Sequence, residues 1–310
     1  MLTTPMDVLI QFPVRKSNKQ KLAFRDALQS YATGLGYDCR VEKGSLGARN
    51  IVIGDPERAD ILITAHYDTC ARMWLPNMIT PCNIGVYVLY QLLVIALLIL
   101  PSIGAGLLGG LILGKDAAYG IALTVYWLLL IAMIAGPANP SNANDNTSGV
   151  VALLETARSL PENQRHKVCF VLFDLEEAGL IGSASYRKKH KKATGRQLVL
   201  NLDCVGDGDH LRFFPTKKLR KDRKKLTSLY TACGYFGNKN LLVQEKGRYI
   251  YPSDQANFPY GAAIAAFHKG KHLGLYYSRI HTPKDTVLDT TNINILRAAL
   301  ISYICCAQPK

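Results

Sequence analysis

His66, Asp145, Glu177, Asp203 and His281 all stand at the edges of apolar runs, and all can bind a metal. Zinc takes imidazole nitrogen and carboxylate oxygen when no thiolate is offered, usually with about four ligands. Two ions roughly 3.5–4 Å apart need a carboxylate that bridges them. Asp145, in Asn144-Asp145-Asn146-Thr147-Ser148-Gly149 at the entry to an amphipathic helix pattern, is the candidate bridge. His66 and Asp203 then complete one ion, Glu177 and His281 the other. Asp68, two residues from His66 on the same strand face, is placed to accept the imidazole's second N–H and orient the ring. Glu176 points differently from its neighbour and stays free to act as general base, then as acid toward a leaving amine. The expected reaction is hydrolysis of an amide bond. The expected cofactor is a pair of zinc ions, a site that cobalt or manganese would also fit.

Each piece has a plainer reading when taken alone. The Asn144–Gly149 stretch has the composition of a helix N-cap. Glu176-Glu177 is a common solvated helix start, Asp203 ahead of Gly206-Asp207-Gly208 a turn residue, and His281 an ordinary loop histidine. His166, His190, His268 and His272 lie in or near basic runs or loops, and His210 has no partner signal. The weight rests on the combination. A nucleophile elbow is not found, because Gly182-Ser183-Ala184-Ser185 lacks its closing glycine. Nor does the Gly-rich stretch at 104–114 end in the Lys-Ser/Thr of a phosphate loop.

The elements that must position these residues follow from periodicity. A helix is expected over 17–35, then strands over 38–41, 50–53 and 60–65. After Asp145 the pattern is helix 149–160, strand 167–173, helix 178–190, strand 197–205. This alternation predicts an α/β fold with a mostly parallel mixed central sheet flanked by helices, its function at the strands' carboxyl edge. A strand over 211–214, a basic-faced helix over 219–233, a strand over 262–267 and a closing helix over 292–306 complete the reading.

Two stretches interrupt it. Residues 84–100 hold Gln91 as their only strongly polar side chain, and residues 117–136 hold no charge. Spanning a bilayer takes roughly 20 apolar residues. If His66 and Asp145 share a metal centre, the chain between them crosses an even number of times. Residues 84–136 therefore read as an inserted transmembrane helical hairpin turning at Lys115-Asp116. The Gly-rich stretch either completes the first helix past a kink at Pro101 or lies in the interface. Residues 1–83 and 137–310 form the two parts of one catalytic domain.

The 310-residue chain carries a net charge of +14 with 48% hydrophobic residues. The basic runs at 187–192 and 217–225 lack stacking aromatics or a recognition motif, so nucleic acid is not expected as a partner; anionic headgroups suit them better. The eight cysteines form no CxxC pair. They predict a reducing compartment, and the catalytic domain of an integral membrane protein is expected on the cytoplasmic side.

The constellation resembles the di-zinc aminopeptidase family, which includes bacterial leucyl aminopeptidases and aminopeptidase S-like metallopeptidases, with glutaminyl cyclases more remote. The matching stretches are Thr64-Ala65-His66-Tyr67-Asp68, Asn144 to Gly149, Glu176-Glu177-Ala178-Gly179-Leu180-Ile181-Gly182-Ser183, Asn201-Leu202-Asp203, Ser253-Asp254 with Phe258, and His281-Thr282-Pro283-Lys284-Asp285-Thr286. The resemblance implies a zinc-peptidase fold, an aminopeptidase acting on peptides, and the same metal ligands and base. It also implies a non-proline cis peptide at Asp145–Asn146, and a tyrosine, Tyr249 or Tyr251, holding the oxyanion. Gln255 stands where the family usually has His, and the hairpin replaces a short connection. The alternatives are a one-zinc glutaminyl-cyclase-like acyltransferase and a peptide-binding membrane scaffold without turnover.

Overall fold

The computed structural model describes residues 2–306. After a short α1 (Asp7–Gln11), α2 (Asn18–Gly34) starts at a capping box. The Ser17 hydroxyl accepts the Gln20 N–H, and the Gln20 side chain accepts the Ser17 N–H. Strands β1 (Cys39–Lys43), β2 (Arg49–Ile53) and β3 (Ile61–His66) follow.

The sheet has ten strands in the order β1-β2-β4-β3-β5-β9-β6-β8-β7, with β10 paired to β9. Here β4 is Val168–Phe173, β5 Leu198–Leu202, β6 His210–Pro215, β7 Gly234–Phe236, β8 Lys239–Val243, β9 Gly261–Gly270 and β10 Gly274–Tyr276. The central β4, β3, β5 and β9 run parallel. Every residue of β3, β4 and β5 is buried, as expected of parallel strands covered on both faces. Side chains alternate between two cores. Ile61, Ile63, Phe170 and Leu172 pack with Phe24 and Leu28 of α2 and with Val151 and Leu154 of α5 (Gly149–Ser159). Leu62, Val171 and Phe173 face Tyr186 of α6 (Ile181–Lys189) on the other side. The closing α10 (Thr290–Cys306) joins the first core.

The predicted mixed sheet flanked by helices is therefore present, with local differences. The helix expected over 219–233 is broken into α8 (Lys217–Lys221), α9 (Arg223–Ser228) and a 3-10 turn, Leu229–Ala232; the short α7 (Lys191–Thr194) lies upstream. The break has a cause: the Asp222 side chain accepts the Lys225 N–H and starts a new helix. The helix expected from 178 starts at Ile181, because Glu176–Leu180 form turns that carry the acidic pair.

Between β3 and α5 the chain forms two long apolar helices, α3 (Ile84–Leu113) and α4 (Lys115–Ala135), joined at Gly114. The Gly-rich stretch completes α3, which continues through Pro101. A Cβ on Gly106 would come within 2.7 Å of the Ala118 carbonyl, so glycine lets the helix backbones approach closely here. Leu107, Leu111, Ile112 and Leu128 face outward. Both helices are long and apolar enough to cross a membrane. The hairpin leaves and rejoins the domain at one place, where Arg72 N–H donates to the Pro137 carbonyl at 2.8 Å.

Candidate metal centre

The ends of three parallel strands supply the site. His66 is the last residue of β3, Glu176 and Glu177 lie in the turn after β4, and Asp203 directly follows β5. Asp145 comes from the irregular turn before α5, and His281 from the loop between β10 and α10. Leu175, Cys204 and His281 itself hold left-handed backbone conformations that non-glycine residues rarely adopt. The peptide bond Asp145–Asn146 is cis, as the resemblance implied.

The two asparagines beside Asp145 act as struts, and Asn146 also takes the N–H of the first residue of α5. Asn146 donates to the Leu202 carbonyl at 2.9 Å and accepts the N–H groups of Gly149 and Cys204. Asn144 accepts those of Gly206 and Asp207 at 2.7 and 3.1 Å. Both fasten the 144–146 segment to the chain leaving β5. Gly149 is required by the same closeness: a Cβ there would lie 2.3 Å from Asn146 Oδ1 and 2.4 Å from the Leu202 carbonyl.

Held this way, Asp145 presents Oδ1 to His66 Nε2 at 3.3 Å and Oδ2 to His281 Nε2 at 3.1 Å. Asp203 Oδ1 is 3.7 Å from His66 Nε2, and Glu177 Oε2 is 3.3 Å from His281 Nε2. Glu176 stands beside His66 and Asp203, with ligand atoms of the three within 4.8 Å of one another. Every predicted ligand and Glu176 are thus brought together.

Asp68 differs from expectation. The His66 Nδ1 faces the Asp68 main-chain carbonyl at 3.1 Å, while the Asp68 carboxylate is 3.7 Å away. That carboxylate accepts the N–H groups of Glu176 and Glu177 at 3.1 and 3.2 Å. It therefore ties the acidic turn to β3, and its backbone orients the imidazole. Tyr251 donates to the Asp203 carbonyl at 3.1 Å and receives the Tyr277 O–H at 3.2 Å. Tyr249 instead donates to the Pro215 carbonyl, and both tyrosines line a basic groove.

Sequence reasoning missed Arg15, Cys70, Tyr277 and the role of Asp285. Arg15 is fully buried; it donates to the Tyr67 and Phe12 carbonyls, each at 2.6 Å, and to Thr147 Oγ1 at 3.1 Å. Burial lowers its pKa to about 10 although Asp68 and Asp145 work against it, so it remains a cation. Cys70 is buried within 4.8 Å of Glu177 and His281. Asp285 accepts the N–H groups of Asn144 and Asp145 at 2.8 and 3.0 Å.

The electrostatics ask for a cation. Burial, joined by Glu177, Asp254 and Asp203 against the pull of His66, drives the Glu176 carboxyl well above its ordinary range. Burial and the Asp145 charge raise Glu177 to about 8 despite His281. Burial would lower His66, but Glu176, Asp145, Asp203 and Asp68 together raise it well above 6.5. His66 Nε2 and Glu177 Oε1 are buried without a hydrogen-bond partner. Buried carboxylates are stable when paired or when they coordinate a metal, and the orphaned nitrogen and oxygen are the donor atoms zinc takes. The residues present fit a divalent ion.

Many solved structures share this fold. A glutaminyl cyclase from Porphyromonas gingivalis aligns with a TM-score of 0.60 at 17% identity, covering 97% of this chain and 95% of the cyclase. The LapA aminopeptidase of Legionella pneumophila gives 0.60 at 14%, covering 99% and 72%. A Zn-dependent exopeptidase from Parabacteroides distasonis gives 0.62 at 18%, covering 96% and 94%. Identities this low establish the architecture alone. No curated protein sequence matches the chain. The model of peptidase family M28 matches residues 128–303, a span holding Asp145, Glu176, Glu177, Asp203 and His281, while the fold supplies His66 from outside it. With more than half its length matched, the chain belongs to peptidase family M28.

Proposed function

We propose that the chain is a membrane-anchored, zinc-dependent aminopeptidase whose centre takes two ions. The observation that carries this reading is the aspect of Asp145, with one carboxylate oxygen toward His66 and the other toward His281. His66 and Asp203 would hold one ion, Glu177 and His281 the other, and Asp145 both. Zinc supplies Lewis acidity there, toward the scissile carbonyl and toward water. Glu176, whose carboxylate lies beside His66 and Asp203, takes the proton of the attacking water and passes it to the departing amine. Asp68 keeps Glu176 in reach by holding its backbone N–H. Tyr251, beside Asp203, is the candidate to steady the oxyanion.

The substrate is a peptide, and the apolar hairpin anchors the domain in the bilayer. A groove of about 850 Å³ lined by Lys217, Lys218, Arg220 and Arg248 also includes Ile84, the first residue of α3, which supports contact between these cations and anionic headgroups. The Lys115-Asp116 turn is nearly charge-neutral and the rest of the chain is basic, which gives modest support to a cytoplasmic catalytic domain, since the positive-inside rule weighs charge near the spans and discounts large domains. The test is to purify the full chain in detergent and assay aminoacyl chromophores and dipeptides. Chelation should abolish release of the N-terminal residue and zinc should restore it. Turnover indifferent to chelation ends this reading.

A further inference from the structure

A second cavity, about 240 Å³, lies directly over the metal centre: Glu177 and His281 form its floor. Tyr90, Gln91 and Val94 of α3 and Met133 and Ile134 of α4 form one wall, with Met73 on the catalytic side. Apart from the two metal-binding residues, its lining carries no charge. Several contacts hold this wall in place. The Tyr90 hydroxyl donates to the Pro76 carbonyl, and Lys16 Nζ donates to the Ile134 carbonyl at 2.5 Å. Met73 N–H donates to the His281 carbonyl at 2.8 Å, so the cavity's catalytic rim is bonded to a metal-binding residue.

Depth along the helices places the cavity. At 1.5 Å per residue, the 21 residues of α4 extend roughly 30 Å, the thickness of a bilayer's hydrocarbon. Met133 and Ile134 lie at the end of α4 nearest the catalytic domain, hence at the membrane boundary. Leu89, Leu92 and Leu93 on the same turns of α3 face outward. The cavity is therefore bounded by helices whose outer faces are apolar.

We propose that the hairpin is part of the substrate site: the second and third turns of α3 and the last turn of α4 build a largely apolar pocket over Glu177 and His281. This pocket takes peptides whose side chain beside the scissile bond is large and apolar, and which reach it from the bilayer surface. The inference rests on the peptidase reading and deepens it. Asn77 and Gln91 put two amides in this lining, but Met73, Val94, Met133 and Ile134 outnumber them, so a large apolar side chain leaves water on entry while a charged one finds no ion partner outside the metal centre. Cleavage within or beside a membrane yields peptides of this kind at the surface where the pocket lies, and that is the class of reaction proposed to supply them.

The test is photo-crosslinking. A pentapeptide with diazirine-leucine at its first position is added to the zinc-loaded Glu176→Gln full chain in lipid nanodiscs, and adducts are mapped by mass spectrometry. Adducts on Tyr90, Gln91, Val94, Met133 or Ile134, competed by excess leucyl peptide and not by glutamyl peptide, are expected. Adducts confined to the catalytic domain, or none on the hairpin, overturn the proposal. A parallel assay of Val94→Trp and Met133→Trp should lower kcat/KM for leucyl over alanyl substrates tenfold or more; an unchanged ratio also overturns it. Failure of the peptidase reading would appear separately, as no turnover of any substrate by the unsubstituted chain, and leaves the crosslinking result to decide the pocket.

Discussion

Asp285 accepts the main-chain N–H of Asp145 at 3.0 Å, across 140 positions of sequence, and that of Asn144 at 2.8 Å. One carboxylate thereby fixes the peptide units on which the two-sided Asp145 side chain is mounted. Burial, with Asp145 close by, raises its own pKa to about 7 in spite of those N–H groups. Asp285→Asn keeps the shape but turns one acceptor into a donor facing an N–H. Partners that orient a metal ligand from behind typically matter by about 10–100-fold in affinity. Zinc retention through dialysis against a weak chelator should fall by that order while the circular dichroism spectrum is unchanged. Retention equal to the parent would remove Asp285 from the site.

Glu176→Gln separates proton transfer from metal binding. The glutamine preserves volume and main-chain contacts with Asp68 but offers no carboxylate. General-base loss costs about 10²–10⁴ in rate. We expect kcat to fall within that range and metal content to hold. If metal is lost in proportion to activity, Glu176 is a ligand and the base lies elsewhere.

Metal counting distinguishes two ions from the single ion of a cyclase-like site. Plasma emission analysis of the purified chain should give two zinc per polypeptide. His281→Ala removes a donor facing both Asp145 Oδ2 and Glu177 Oε2, so one ion should leave and the other stay with His66 and Asp203. One ion per parent chain would favour the acyltransferase chemistry.

What the sequence revealed and withheld has a physical basis. His66 and Asp203 were legible because each ends or follows a buried apolar strand, and such ends converge in a parallel sheet. Arg15 was not, since nothing in the stretch around Pro13 predicts a fully buried guanidinium bonded to residues 52 and 132 positions away. Asp285 stood in a quoted motif, yet no spacing rule sends a loop carboxylate to a distant backbone. The short edge strands β7 and β10 are too brief to display a period of two. Asp68 reads from the sequence as a carboxylate on the strand face of His66; the strand ends at His66, so the Asp68 carbonyl meets the ring and its carboxylate turns to the Glu176 and Glu177 N–H groups.

Away from the metal centre, His190 supports a pH-dependent brace. Its Nδ1 lies 2.8 Å from Glu57 and its Nε2 2.9 Å from Glu42. Glu42 first, and Glu57 after it, raise the imidazole above 6.5 against partial burial. Burial would raise Glu42, but His190 and Lys189 hold it at about 2. A raised histidine stabilises the fold fully below its unfolded value near 6.5, and that contribution fades as pH climbs through the folded value. Glu42 behaves oppositely: its contribution is present above about 4.5 and is lost as pH falls toward 2. His190→Gln should therefore lower Tm more at pH 6 than at pH 9 in scanning fluorimetry. Equal losses at both would show that packing against Tyr186, 4.5 Å away, is the whole effect.

The hairpin's topology is open to a direct chemical test. If α3 and α4 span the bilayer, Asp116 beside the Gly114 turn lies on the far side from the catalytic domain. The chain segments on either side of the hairpin meet through the Arg72–Pro137 bond, so both parts of the domain lie on one side of the membrane. In a chain whose native cysteines are replaced, Asp116→Cys should react with an impermeant maleimide only from outside sealed cells. Lys224→Cys, at an exposed site on α9, should react only after lysis. Labelling of both from one side would mean that the helices lie along the surface. In that event the even-crossing argument that joined His66 to Asp145 would still stand, with zero crossings, but the anchor would be interfacial and alkaline carbonate would strip the protein from membranes.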